Sequence, residues 1–185
     1  PAVVPSGGEN TALIVVDMQN DFGHPDGSLF VAGGDAIVGA INDEIERTAA
    51  GGGTIVLTQD WHPESTPHFI DDGGVWPVHC VRDTWGAQLH PDLIVSGPVV
   101  RKGTGGEDGY SGFTMRDPVD GTTVPTELDA LLSEAGVENT VVVGIALDVC
   151  VLATALDAKS NGYGVTVVAD ATRAVNLEPD DGTNA

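Results

Sequence analysis

Apolar residues in this chain fall into two alternating rhythms. Thr11 to Val16 is an unbroken apolar run, the pattern of a parallel strand buried on both faces. From Asp35 to Ala50, Ile37, Ile41 and Ile45 recur every four residues with Val38 beside them, which predicts one helix face. Asp35 is the expected N-cap, and Gly51-Gly52-Gly53 the stop. Thr54 to Gln59 reads as a second strand, and Leu93 to Lys102 as a third, interrupted at Gly97-Pro98. A helix is predicted over Thr126 to Ala135, with Thr126 as cap and Leu128, Leu131 and Leu132 facing inward. Then come a buried strand, Thr140 to Ile145, a helix from Val149 to Asn161 stopped by Gly162, and a last strand, Val165 to Ala169. Five strands separated by helices or long crossovers predict an α/β fold, a mainly parallel sheet covered on both faces. With neither linker nor internal repeat, residues 1–185 read as a single domain.

One stretch breaks the rhythm. Between Asp60 and Asp92 stand prolines at 63, 67, 77 and 91, all three tryptophans and four of the five histidines. It reads as a long structured loop with one short helix at most, a kind of segment that usually carries function. A second, glycine-rich loop follows from Gly103 to Gly112.

Charge narrows the partners. The chain has 28 acidic and 7 basic side chains, a formal net of −21. Such a surface repels nucleic acid and anionic membranes, so neither is expected as a partner. The carboxylates are spread along the chain rather than gathered in a tail. That fits a protein from a high-salt setting, where cations screen the repulsion, somewhat better than a merely acidic cytosolic enzyme. No apolar run approaches the roughly 20 residues of a membrane span, and Pro1 to Asn10 holds no basic residue, so a cytoplasmic location is expected. Two cysteines, Cys80 and Cys150, are too few for a disulfide scaffold, and free thiols are expected.

In open α/β sheets ligands bind beyond the carboxyl ends of the strands. The residues there are Asp17 after the first strand, Asp60 and His62 after the second, Arg101 and Lys102 after the third, and Asp148 and Cys150 after the fourth. Cys150 follows a strand and a short turn and opens a helix, where backbone donors lower a thiol's pKa and offer an oxyanion site. A buried cysteine serving as a small hydrophobe is the competing reading. Cys80 follows no strand and is read as structural. A reactive thiol needs a proton acceptor and a nearby cation, which Asp17 and Lys102 could supply. Taken alone, Asp17 reads better as a strand-end carboxylate accepting backbone hydrogen bonds and Lys102 as a surface lysine pairing with Glu107 or Asp108; it is the trio with Cys150 on one edge that brings in the functional reading.

Asp60 and His62 are two residues apart, so in an extended segment they point to the same side. His68 and His79 lie further along the same loop. One carboxylate and three imidazoles suit zinc, iron or manganese rather than calcium, with a coordination position left open. The alternative is a set of loop histidines capping backbone groups. His24 and His90 lack such company and are read as structural.

Four segments in this order resemble the nicotinamidase/pyrazinamidase branch of the isochorismatase-like hydrolases. They are Val16-Asp17-Met18-Gln19-Asn20-Asp21-Phe22; Thr58-Gln59-Asp60-Trp61-His62-Pro63 with Trp76-Pro77-Val78-His79-Cys80; Lys102-Gly103 with Tyr110-Ser111-Gly112-Phe113; and Gly144-Ile145-Ala146-Leu147-Asp148-Val149-Cys150-Val151. The resemblance runs from about Thr11 to Arg173 and implies a three-layer α/β/α fold. It implies a triad of Asp17, Lys102 and Cys150, and one divalent metal ion, zinc first and iron or manganese next, on Asp60, His62, His68 and His79. It further implies a cis peptide between Ile145 and Ala146, an oxyanion hole from the Ala146 and Cys150 N–H groups, and Phe22 and Trp76 sandwiching a pyridine ring, with Tyr110, Ile145 and Ala146 at the same pocket.

The implied activity is hydrolysis of nicotinamide, and of pyrazinamide, through a thioester on Cys150, in the salvage of NAD. A sister cysteine amidase acting on a carbamoyl compound or another small amide is the alternative; Phe22, Trp76 and the metal set argue against it. An isochorismatase proper needs no cysteine at position 150, and the complete triad argues against a non-catalytic binding module. Members of the family continue into a further helix beyond the last strand. Here the stretch around Asp180-Asp181-Gly182 is polar, so part of the sheet is expected to be uncovered or covered by a partner subunit in a homo-oligomer.

Overall fold

The structure, a computed structural model, describes residues 8–185. The reading of Pro1 to Asn10 as free of a targeting segment falls mostly on residues 1–7, outside the described residues. Five strands form the main sheet: β1 (Thr11–Val16), β2 (Thr54–Asp60), β3 (Val99–Lys102), β6 (Asn139–Ile145) and β7 (Gly164–Arg173), all parallel, in the order β3-β2-β1-β6-β7. A separate antiparallel pair, β4 (Thr114–Arg116) with β5 (Thr123–Pro125), was not anticipated.

The apolar run of β1 explains the layering. Alternate residues point to opposite faces. Leu13 and Val15 join α2 (Val38–Ala50) in one core, and Ala12, Ile14 and Val16 join α3 (Leu128–Glu134) and α4 (Leu152–Ser160) in the other. Every residue of β1 is buried, so the chain is a three-layer α/β/α sandwich with β1 at its centre. Two four-residue helices, α1 (Asn20–Gly23) and α5 (Asp181–Asn184), complete the set. No helix among the described residues is long and apolar enough to cross a membrane.

Several expected boundaries move. Asp35 makes no side-chain cap; it opens a 3-10 turn, Asp35–Ile37, that runs into α2. The third strand begins only at Val99, because Gly97, at φ +100°, and Pro98 interrupt the ladder before it. The long loop holds one 3-10 turn, Ile70–Asp72. Thr126 accepts the Leu128 N–H at 3.2 Å, so the helix starts two residues later than its capping residue suggested. The helix expected at Val149 is a π turn, Leu147–Val151, followed by α4.

β6 carries the decisive backbone irregularity. Its pairing with β7 shifts register between Val142 and Gly144. Gly144 takes φ +115° and approaches Val16 O so closely that a Cβ there would overlap backbone. The Ile145–Ala146 peptide is cis. β6 ends at Ile145, and at the end of the neighbouring β1 Asp17 leaves its strand at φ +50°. Asp148 then accepts the N–H groups of Val175 and Asn176 at 2.9 and 2.7 Å, pinning the segment after β7 against the turn that holds Cys150.

Candidate active site

The carboxyl ends of β1, β2, β3 and β6 bring Asp17, Asp60, Lys102 and Cys150 together. Lys102 is fully buried, and its Nζ donates to Asp17 Oδ2 at 2.7 Å, to Asp60 Oδ1 at 2.6 Å and to Gly109 O. It stands 3.9 Å from Cys150 Sγ, and the Asp17 and Asp60 carboxylates and that sulfur lie within 4.8 Å of one another. The surface-lysine reading of Lys102 is thereby excluded. Glycine is needed at 109, since a Cβ there would stand 2.7 Å from Asp60 Oδ1.

Burial sets the electrostatics. It raises Asp17 to about 6, although Lys102 pulls the other way. Burial would also raise Asp60, but Lys102, His62 and His79 hold it well below the usual carboxylate range. Lys102 stays firmly charged because the two carboxylates outweigh its desolvation. Cys150 differs from its expectation: burial pushes the thiol well up, Lys102 only partly offsets this, and Asp17 and Asp60 add to the rise. At rest it is a neutral thiol beside a base, not a thiolate stabilised at a helix N-terminus. Cys80 is buried and also pushed well up, as an inert core thiol should be.

The histidines form the second half of the site. His62, His68 and His79 each present a ring nitrogen within 4.8 Å of the others, and all three are buried. Asp60 Oδ2 points at them, 3.6 Å from His62 Nε2 and 3.8 Å from His79 Nε2. Burial lowers His68, and lowers His79 to about 4, so both rings are neutral with a lone pair to give. Both nitrogens of His62 are buried without a hydrogen-bond partner. An orphaned imidazole facing two neutral imidazoles and an ionised carboxylate is what a divalent cation satisfies, and the donor set fits one of the zinc, iron or manganese kind. His24 and His90 lie beside each other, ring centroids 5.9 Å apart, outside this cluster.

Both halves open into one partly enclosed cavity, which Asp60, His68, His79 and Cys150 reach. Phe22, Trp76, Tyr110, Ile145 and Ala146 line it, and Trp76 Nε1 donates to Tyr110 Oη at 3.0 Å. Val149, inside the fourth motif, lines it too, as do Leu29, Val31 and Val175, which nothing in their sequence context singled out. The reading from sequence also missed the residues that hold the site in shape. Thr58 donates to Asp17 Oδ1 at 2.7 Å. Gln19 donates to Asp60 O at 2.7 Å and accepts the Asp60 N–H at 2.8 Å, pairing with it as a strand would. Asp21 accepts the Cys80 N–H at 2.7 Å, one residue from His79. All three lie inside the quoted motifs, so proximity to a motif was the one signal available.

Known proteins resemble this chain over most of its length. The isochorismatase domain matches residues 11–183. The chain is 42% identical over 174 residues to the nicotinamidase/pyrazinamidase of Mycobacterium tuberculosis, covering 90% of this chain and 88% of that protein. It is 36% identical over 192 residues to the nicotinamidase of Escherichia coli, covering 94% and 88%. Its fold matches the crystal structure of the pyrazinamidase of Pyrococcus horikoshii in complex with zinc at a TM-score of 0.82 and 39% identity, over 95% of this chain and 91% of that one. The chain belongs to the isochorismatase family.

Proposed function

We propose that this protein is a nicotinamidase, hydrolysing nicotinamide to nicotinate and ammonia. The observation that carries the proposal is the buried Asp17–Lys102–Cys150 cluster at one wall of an aromatic-lined cavity, with the metal-ligand set at another. A cavity walled by Phe22, Trp76 and Tyr110 suits a flat single-ring amide, and pyrazinamide fits the same description. The location that goes with this reading is cytoplasmic.

The chemistry follows from the resting charges. Asp17, raised toward neutrality by burial, takes the Cys150 proton as the sulfur attacks the carboxamide carbon. Lys102, held charged between the two carboxylates, stabilises the sulfur's developing negative charge. The Ala146 and Cys150 N–H groups hold the oxyanion. Asp17 returns the proton to the departing nitrogen, and ammonia leaves a thioester on Cys150. Water, losing its proton to Asp17, then cleaves the thioester to the acid and the free thiol. Phe22 and Trp76 hold the ring, and Tyr110 holds Trp76. Asp60, His62, His68 and His79 would hold a divalent ion such as zinc, which would supply Lewis-acid polarisation beside the ring. Ammonia release from nicotinamide, with and without a chelator, tests the proposal. Inertness toward nicotinamide in zinc-loaded protein would refute it.

A further inference from the structure

Asp108 lies in the glycine-rich loop after β3, where the sequence offered only glycines, Thr104 and acids. It is 5% exposed. Its Oδ1 lies 2.5 Å from His68 Nδ1, and its Oδ2 accepts from Arg116 Nη1 at 3.1 Å. Its backbone is clamped as well: the Asp108 N–H donates to Arg116 O at 2.7 Å and the Arg116 N–H to Asp108 O at 3.2 Å. The unanticipated β4–β5 hairpin supplies that clamp, since Arg116 ends β4. A second link runs beside it. Thr66 Oγ1 donates to Gly106 O at 2.5 Å and accepts the His68 N–H at 3.1 Å. The loop after β3 therefore grips His68 by both ring and backbone.

The three cluster histidines differ in this respect. His79 Nδ1 meets a carbonyl, Pro77 O, at 2.7 Å. His62 has no partner on either nitrogen. Among the three, His68 is the one whose second ring nitrogen meets a carboxylate outside the cluster. A neutral imidazole exists as two tautomers, and only the one protonated at Nδ1 leaves Nε2 free to bind a cation. A carboxylate accepting from Nδ1 selects that tautomer, fixes the ring's rotation and strengthens the donor.

We infer that Asp108 is a positioning residue for the metal centre: it locks His68 as the Nδ1–H tautomer with Nε2 presented to the cation, and the β4–β5 hairpin holds Asp108 in place for that purpose. This rests on the reading that Asp60, His62, His68 and His79 hold a divalent ion.

The experiment measures zinc(II) affinity of the full chain by competition with a chromophoric chelator, and the His68 tautomer by ¹⁵N NMR of the metal-free protein. Wild type and His62→Ala come first, to establish that the protein takes up zinc and loses it with a ligand. Asp108→Ala is then expected to weaken zinc binding about 10–100-fold. Its His68 should show both tautomers where wild type shows Nδ1–H. Asp108→Asn has the same shape and keeps a neutral acceptor, which guards against misfolding, and should fall between the two. Arg116→Met removes the ion pair yet leaves the Asp108–His68 contact and the backbone clamp, and should bind zinc more tightly than Asp108→Ala. Unchanged zinc affinity in both Asp108 variants would overturn the inference while leaving the metal reading intact. So would a His68 that stays in the Nδ1–H form in Asp108→Ala, which marks a merely structural role. Wild-type protein that takes up no zinc would overturn the metal reading and this inference together.

Discussion

The nucleophile half and the histidine half of the site are built by different means. Asp17, Lys102 and the turn of Cys150 stand directly at strand ends, so the register of the parallel sheet sets their spacing. The histidines hang on the loop after β2, and side chains from elsewhere hold it: Gln19 on Asp60, Asp21 on Cys80, Asp108 on His68. Asp60 joins the two halves, with one oxygen on Lys102 and the other facing His62 and His79. A sheet edge positions a few groups rigidly through hydrogen bonds it must make anyway. A loop can gather more ligands but needs contacts from outside itself to hold its shape.

Breaking the nucleophile should have the largest effect. Cys150→Ala is expected to remove at least about 10⁴-fold of the ammonia-release rate, because members of a catalytic unit fail together. Its melting curve should stay close to wild type, since one sulfur is all that is lost; retained turnover would reassign the nucleophile. Lys102→Met strikes the junction instead. It leaves two buried carboxylates without their cation, and should cost about 3–5 kcal/mol in a denaturant titration as well as all activity. A stable Lys102→Met protein would mean that the ammonium is not what holds the two halves together.

Removing a ligand from the loop separates the halves. His62→Ala should abolish zinc uptake while Cys150 still reacts with iodoacetamide at close to the wild-type rate. A thiol silenced by that change would show that the halves are not separable.

The pH profile probes the sheet side alone. Asp17 must be ionised to accept a proton, and burial raises it to about 6. The ionised fraction falls as pH drops through that value, so kcat/KM should fall about tenfold per unit below it. An acid limb near the ordinary carboxylate value would place the base elsewhere.

The smallest effect concerns the surface. With a net charge of −21, repulsion is screened as the Debye length falls from about 30 Å at 0.01 M salt to about 3 Å at 1 M. The melting temperature should therefore rise with potassium chloride, and a flat response would favour the merely acidic reading over salt adaptation.

Much of the fold was legible because burial writes itself into local pattern. The unbroken run of β1 announced a strand covered on both sides, and Ile37, Ile41 and Ile45 announced α2. Strand ends pointed to Asp17, Asp60, Lys102 and Cys150 for the same reason: a parallel sheet exposes one edge to ligands. The β4–β5 hairpin left no such trace, because its three-residue strands are exposed or half-buried and need no apolar alternation.

The sequence by itself therefore determined the layers, the sheet and the identity of the groups at its edge, all of which depend on neighbours along the chain. The tertiary structure alone decided how those groups are charged and held. That Lys102 is buried between two carboxylates, that Cys150 rests as a thiol, and that Asp108 faces His68 across 40 residues are contacts between distant segments. Desolvation and hydrogen-bond geometry depend on what surrounds a group in space, and local pattern does not encode that.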